Sequence, residues 1–319
     1  MGIEKKYKVA FIGAGYMTIE HIKAFKSLNN VKLSGIYSRT FSRAENLAKQ
    51  FDINQVCKSV EELYESTKAD LVVISVPELS TKEVVFKSFD YPWYLLIEKP
   101  VGYNYEQANE IKEYAEKKNA KAYVALNRRF YSSTIEAINL LKSENDKRII
   151  HIQDQEDPKL ALKAGQPKLV TENWMYANSI HIIDYFRLFG RGSIINIENI
   201  EKYDKNNPFY VHSKILFSSG DVGIYQAFWD APAPWSVTVT SRQKKIELKP
   251  VEKLSTQKYG SRNIEQIKLD SDDIDFKPGL KKQAEAIINL IQGNKIHYHL
   301  SDLNESLKTM EIIKKIYNN

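Results

Sequence analysis

Three short stretches of this chain carry residue types suited to chemistry. Gly13-Ala14-Gly15-Tyr16-Met17-Thr18 is the first. Its two glycines permit a tight turn and let the backbone approach a pyrophosphate, and a helix starting there offers free N–H groups and a favourable dipole. The second is Glu98-Lys99-Pro100. Desolvation or neighbouring cations can lower a lysine's pKa, so Lys99 is suited to exchanging a proton with a hydroxyl or carbonyl, while the proline restricts the backbone beside it. The third is NWMYANSIHIIDYF, where His181 and Asp184 lie three residues apart in an apolar run. On a helix they would share a face. Taken alone, such a pair reads as a buried polar contact.

A fourth group bears on which cofactor the glycine turn would hold. NAD-dependent enzymes usually place an acid about 20 residues after the glycines, on the ribose hydroxyls. Here that place is taken by Ser38, Arg39, Thr40 and, one turn later, Arg43. A carboxylate would repel a 2′-phosphate, whereas a hydroxyl and guanidinium groups hold it by charge-assisted hydrogen bonds. NADP(H) is therefore expected in preference to NAD(H), with NAD(H) still possible. The alternative is that the arginines decorate the start of a surface helix. Thr18 occupies the place of the fingerprint's third glycine.

The surrounding elements have to position these groups. KVAFIG, VKLSGIYS, DLVVISVP, WYLLIEKP and AKAYVALN read as buried strands. Between them, from about Met17 to Leu28 and in SRAENLAKQF, VEELYEST, TKEVVFKSF and YEQANEIKEYAEKKN, the pattern is helical. Strands alternating with helices imply a doubly wound parallel sheet covered on both faces, a Rossmann domain over residues 1–126. Ligands of such sheets lie outside the carboxyl ends of the strands, which is where Gly13, Gly15, Tyr16, Met17, Val76, Pro77, Glu98 and Lys99 fall. Beyond about Asn127 the character changes. FYVHSKILFSSGDVGIYQAFWD suggests an antiparallel hairpin, WSVTVTSRQKKIELKP alternates with period two, and two helical segments close the chain. Residues 127–319 are expected to form an α+β domain with a mostly antiparallel open sheet, including the C-terminal helices.

Bulk properties exclude several classes. The 319 residues suit two domains, and 43% hydrophobic with 27% charged residues is an ordinary soluble composition. A single cysteine, Cys57, excludes an internal disulfide, and MGIEKKYKVAFIG does not resemble a signal peptide, so a cytoplasmic setting is expected. No apolar run approaches the ~20 residues of a membrane span. The net charge of +6 is scattered rather than gathered in a stripe, which gives nucleic-acid binding little support. His, Asp and Glu form no metal-ligand pattern.

FIGAGYM, YSRT, VISVPELSTKEVV, LIEKPVGYNYEQANEI, LNRRF and IHIIDYFRLFG together resemble the glucose–fructose oxidoreductase / inositol dehydrogenase / rhizopine-catabolism (Gfo/Idh/MocA) superfamily over the full length. The glycine turn alone is common, whereas EKP followed by NRRF and H-x-x-D is a specific combination. The resemblance implies hydride transfer between a nicotinamide cofactor and a sugar-like hydroxyl or ketone. It implies that Lys99 sits beside the substrate and that His181 faces the same spot, with Asp184 structural. It also implies a homo-oligomer, dimer or tetramer, formed through the C-terminal sheet.

The chain departs from the family at several points. Ala177 stands where many members carry a substrate-binding aspartate, and the glycine-rich segment around it is missing. NWMYANSIHIID is more similar to variants from surface-polysaccharide and nucleotide-sugar gene clusters. Asn178, next to the gap, would either hydrogen-bond a sugar hydroxyl or cap a helix N-terminus. Thr81 replaces a histidine common among relatives. Asn127, Arg128 and Arg129 end a strand near the expected cleft, where Asn127 and Arg128 are candidate substrate contacts and an interdomain salt bridge is the alternative. Trp229 and Trp235 would stack on a sugar or, more simply, make sheet or subunit contacts. His297 and His299 read as structural. The expectation is an NAD(P)-dependent oxidoreductase acting on a sugar or nucleotide-sugar, with Lys99 and His181 catalytic. The rival readings are a non-catalytic NAD(P)-binding sensor or regulator, and a reductase of a non-sugar ketone or imine.

Overall fold

The computed structural model describes residues 5–294 and 300–317, so His297 and His299 lie outside the described residues. The chain divides into two compact units, one built from residues up to Phe130 plus Asp272–Leu307, the other from Tyr131–Ser271 plus the residues from Lys308 onward.

The first unit opens with β1 (Tyr7–Ile12), α1 (Tyr16–Lys26), β2 (Val31–Tyr37), α2 (Phe41–Phe51), β3 (Val56–Cys57) and α3 (Val60–Thr67). It continues with β4 (Leu71–Ile74), α4 (Glu78–Ser88), β5 (Tyr94–Ile97), α5 (Tyr105–Lys117) and β6 (Lys121–Val124). All of these strands are parallel, in the order β6-β5-β4-β1-β2-β3. The strands are near-continuous apolar runs because both faces of the sheet are covered, and every residue of β4 is buried. Register brings the carboxyl ends level: Ile12 lies beside both Tyr37 and Ile74, and Ile74 beside Ile97. Gly13, Ser38, Ser75 and Glu98 therefore leave the sheet along one edge.

A 3₁₀ turn, Asn127–Phe130, ends this stretch. The second unit then comprises α6 (Ser132–Leu141), β7 (Ile149–Glu156), α7 (Pro158–Lys163), α8 (Lys168–Thr171), a π-helical turn at Met175–Ser179, α9 (Ile180–Ile183) and α10 (Tyr185–Phe189). Strands β8 (Ile194–Glu201), β9 (Tyr210–Phe217), β10 (Val222–Trp229), β11 (Ser236–Thr240), β12 (Lys244–Leu248), β13 (Ser255–Lys258) and β14 (Glu265–Gln266) follow. They form one sheet in the order β14-β13-β12-β11-β7-β10-β9-β8, antiparallel except between β7 and β10. Burial alternates strictly along β7, β9 and β10, so one face is packed and the other half-exposed. The π-helical turn and α9 pack on the covered face of β7.

The chain then contributes to the first unit again. After α11 (Asp272–Asp275), α12 (Leu280–Ile291) packs against α1, placing Leu280, Ala284, Ile287 and Ile288 in the same core as Phe11, Ile22 and Phe25. Next, β15 (Ser301–Asp302) adds an antiparallel edge to β6. The last helix, α13 (Leu303–Tyr317), starts in the first unit and ends in the second. The expected division at 126/127 with an unbroken C-terminal domain is thus replaced by one in which residues 272–307 complete the nucleotide-type unit. Its parallel sheet needs a further helix to cover α1's flank, and α12 supplies that apolar face.

Candidate functional site

The turn after β1 is shaped by one glycine for the chain and another left open. Gly13 has φ +119°, and a Cβ there would lie 1.9 Å from the Ser75 carbonyl oxygen. Only glycine tolerates both demands. Gly15 is different: it is exposed, its φ is −95°, and a Cβ would meet nothing within 4 Å. The space beside it is open at the N-terminus of α1, where free N–H groups and the helix dipole favour an anion. Thr18 is fully buried and does locally what the missing glycine does not. Its hydroxyl accepts from Gly15 N at 3.3 Å and donates to the Ser75 carbonyl at 3.4 Å, tying α1 to the end of β4. Tyr16 is exposed under the Lys277 ammonium, 5.4 Å from the ring centroid, and Met17 is half-buried.

At the end of β2, Ser38 accepts from Thr40 N at 3.3 Å, which folds the turn that starts α2. Ser38 and Arg39 line a pocket of about 430 Å³ together with Tyr37, Phe41 and Lys58. Arg43 is exposed on α2 and is not part of that lining, which narrows the expected pair of arginines to Arg39. Lys58 was not anticipated. The parallel pairing of Tyr37 with Cys57 sets Lys58 level with Ser38, and β3 is too short to stand out in a sequence. Among the described residues, no carboxylate lines this pocket. The open Gly15 turn and this pocket lie at the carboxyl ends of the neighbouring strands β1 and β2.

Val76 is half-buried and Pro77 exposed at the end of β4, where Pro77 precedes the first turn of α4, and Thr81 is buried one turn further on. Beyond β5, Lys99 is half-buried and its bond to Pro100 is cis. Glu98, expected among the cofactor contacts, turns its carboxylate into the unit instead. His21 of α1, 1% exposed, meets Glu98 Oε1 through Nε2 at 2.7 Å, while Lys99 N donates to Oε2 at 3.2 Å. The carboxylate thereby braces the peptide that carries Lys99 against α1. His21 gave no sequence signal beyond its place on the buried face of α1. Asn127 is likewise buried and donates through Nδ2 to the Pro278 carbonyl at 3.0 Å, which makes it a tie within the first unit. Arg128 is half-buried and Arg129 buried in the same 3₁₀ turn.

In the second unit, His181 is half-buried on α9. Asp184 is 2% exposed and accepts from the Thr309 hydroxyl at 2.8 Å, pinning this helix to α13. Asn178 lies inside the π-helical turn, so it is no helix cap. It is half-buried, and its Nδ2 donates to Glu156 Oε2 at 3.1 Å. Trp229 is 1% exposed among Tyr203 and Tyr317, which removes it as a sugar platform. Trp235 donates through its indole N–H to the Gln155 carbonyl at 3.2 Å. No group of His, Cys, Asp and Glu among the described residues is arranged to hold a metal, and no described helix is long and apolar enough to cross a membrane.

Residues 7–126 match the Gfo/Idh/MocA family, described as an oxidoreductase family with an NAD-binding Rossmann fold. The chain is 28% identical to glucose-6-phosphate 3-dehydrogenase of Bacillus subtilis over 136 residues, 43% of this chain and 37% of that relative. That match therefore spans little more than a third of the relative's length. With scyllo-inositol 2-dehydrogenase (NADP(+)) of the same organism, identity is 21% over 329 residues, covering 97% and 95% of the two chains. A solved oxidoreductase from Thermotoga maritima shares the fold, with TM-score 0.79 and 21% identity over 98% of this chain and 96% of the other. The first unit, from β1 to just past β6, is thus similar to the NAD-binding Rossmann domain of the Gfo/Idh/MocA oxidoreductase family.

Proposed function

We propose that this chain is an NADP(H)-preferring dehydrogenase or reductase that acts on a hydroxyl or ketone carbon of a sugar, polyol or nucleotide-sugar. The observation that carries the cofactor half is the acid-free pocket lined by Ser38, Arg39 and Lys58, level with the open turn at Gly15. A nicotinamide cofactor, when bound, supplies or accepts the hydride. Gly13 shapes the turn, the open face of Gly15 and the N-terminal N–H groups of α1 would hold its pyrophosphate, and Arg39 and Lys58 would hold a 2′-phosphate with the Ser38 hydroxyl. Two relatives named for dehydrogenation of a sugar phosphate and of an inositol, one of them NADP-dependent, support the substrate class.

Lys99 is proposed as the group that gives a proton to, or takes it from, the reacting oxygen. Glu98 and His21 hold the lysine's backbone in place, and the cation of a protonated lysine stabilises a developing alkoxide. His181 is proposed to assist by hydrogen bonding to the same substrate. Asn178, one residue beyond the gap at Ala177, is proposed as a substrate contact, accepting from a hydroxyl rather than removing its proton.

Lys99→Ala tests the reaction half. Against glucose 6-phosphate, scyllo-inositol and UDP-sugars with NADP⁺, the wild type should turn over at least one substrate. The variant should lose roughly 10²-fold or more in kcat, with NADPH affinity nearly unchanged. Undiminished turnover in the variant removes Lys99 from the chemistry. A wild type that binds NADPH but converts no substrate of this class points to the sensor reading.

A further inference from the structure

Two carboxyl side chains sit on the covered face of β7 in the middle of the second unit, and the proposed function uses neither. Asp154 and Glu156 are two residues apart on the strand, and both are 0% exposed. Among the described residues, every side-chain hydrogen-bond donor that reaches them is neutral. Tyr225 of β10 donates its phenol to Asp154 Oδ2 at 2.7 Å, and its oxygen also lies 2.7 Å from the Tyr317 hydroxyl at the end of α13. Ser179 donates its hydroxyl to Glu156 Oε1 at 2.7 Å, and Asn178 its amide to Oε2 at 3.1 Å. The Trp235 indole also faces Asp154. Nearby, the Lys159 ammonium is paired with Asp230 at 2.9 Å rather than with either of the two acids. Asp154 Oδ1 is buried with no donor among the described residues.

Two ionised carboxylates buried side by side without a cation each suffer both desolvation and repulsion by the other. One proton removes both difficulties. It neutralises one acid, joins the two carboxyls by a hydrogen bond, and provides the donor that Asp154 lacks. Burial and the neighbouring Asp154 both push the Glu156 carboxyl well above its ordinary range. Glu156 is thus the proton's holder and Asp154 the acceptor.

We propose that Asp154 and Glu156 hold a single proton between them, and that the resulting pair is the positioning device for the turn Met175–Ser179. The two residues that bond to Glu156, Asn178 and Ser179, belong to that turn, which runs directly into α9 and His181. A π-helical turn has wider hydrogen bonding than an α-helix and needs outside contacts to persist. With the Asn178 NH₂ group committed to Glu156, the orientation of the amide is settled. Its carbonyl oxygen is the atom turned toward a ligand, suited to a hydroxyl that donates. Asn178's role as a substrate contact rests on the function proposed above. The shared proton and its hold on the turn do not.

Isotope-edited infrared spectroscopy of the whole protein at neutral pH tests the proton. The expected result is the carbonyl stretch of a buried carboxylic acid, shifted in D₂O and absent from the double variant Asp154→Asn, Glu156→Gln. Those substitutions preserve shape and neutral hydrogen bonding. Selective ¹⁵N-asparagine labelling tests the positioning, with the Asn178 side-chain amide assigned by its loss in Asn178→Ala. That resonance should move when alkaline pH draws the proton off in the wild type, and should stay still in Glu156→Gln. Absence of the acid band in the wild type, its survival in the double variant, or a wild-type Asn178 amide indifferent to pH overturns the proposal. Failure to find a substrate, by contrast, bears only on the proposed function.

Discussion

Gly13 and Gly15 are neighbours in the same turn yet answer to different demands. At Gly13 the chain itself requires glycine, since both the φ of +119° and the 1.9 Å approach to Ser75 forbid a side chain. Gly13→Ala should cost about 2 kcal/mol or more of unfolding free energy, read from a denaturant midpoint. Gly15→Ala should stay within about 1 kcal/mol of the wild type while loosening NADPH roughly tenfold or more, because the methyl enters the space a pyrophosphate needs. Equal effects of the two changes on stability would contradict this division of labour. At this scale the sequence was legible where a residue type has few uses. That Gly13, Ser38 and Lys99 follow the ends of β1, β2 and β5 was readable by position. Glu98 and Asn127 misled because a polar residue at a strand end looks the same whether it faces a ligand or an interior partner. His21 and Pro278, the partners that decide it, lie 77 and 151 residues away in the chain.

The parallel strands of the first unit were readable because both faces are buried, which leaves uninterrupted apolar runs. The central strand of the second unit, β7, was overlooked for the opposite reason. Its buried positions include Asp154 and Glu156, so the run IIHIQDQE lacks the apolar alternation that marks a half-buried strand. The π-helical turn was invisible too, since nothing in MYANS distinguishes it from an α-helix. Two stability predictions belong to these elements. Thr309→Val removes the donor to buried Asp184 and should cost roughly 1–3 kcal/mol by chemical denaturation. The second concerns pH. Because Glu156 is held protonated above its ordinary pKa, the native state binds more protons than the unfolded chain once pH exceeds about 4.3. Stability should therefore fall as pH rises from there through the folded pKa, by at most about 1.4 kcal/mol per pH unit. Glu156→Gln should lack that slope and gain on the wild type as pH increases. Parallel pH profiles of the two melting temperatures would contradict the assignment.

Each unit draws on both ends of the chain. Residues 272–307 return to the first unit, and α13 carries Thr309 and Tyr317 into the second. Helical periodicity revealed α12 and α13 in the sequence, but not the core each would join, because an amphipathic stripe specifies a face and not its partner. On the second unit's sheet, Ile149, His151, Ile224 and Phe228 stand half-exposed on the side opposite the helices. A face of this kind is proposed to meet a second copy, as the family resemblance suggests. Light scattering should give a dimer or tetramer, and Ile224→Lys with Phe228→Lys should shift it toward monomer.

The central claim, that the first unit holds a phosphorylated nicotinamide dinucleotide along its strand ends, is tested most directly by paired fluorescence titrations of the wild type with NADPH and NADH. Binding of NADPH roughly tenfold tighter or more is predicted, with the advantage collapsing in Arg39→Ala and shrinking in Lys58→Ala while NADH affinity changes little. NADH binding as tight as NADPH in the wild type would contradict the account.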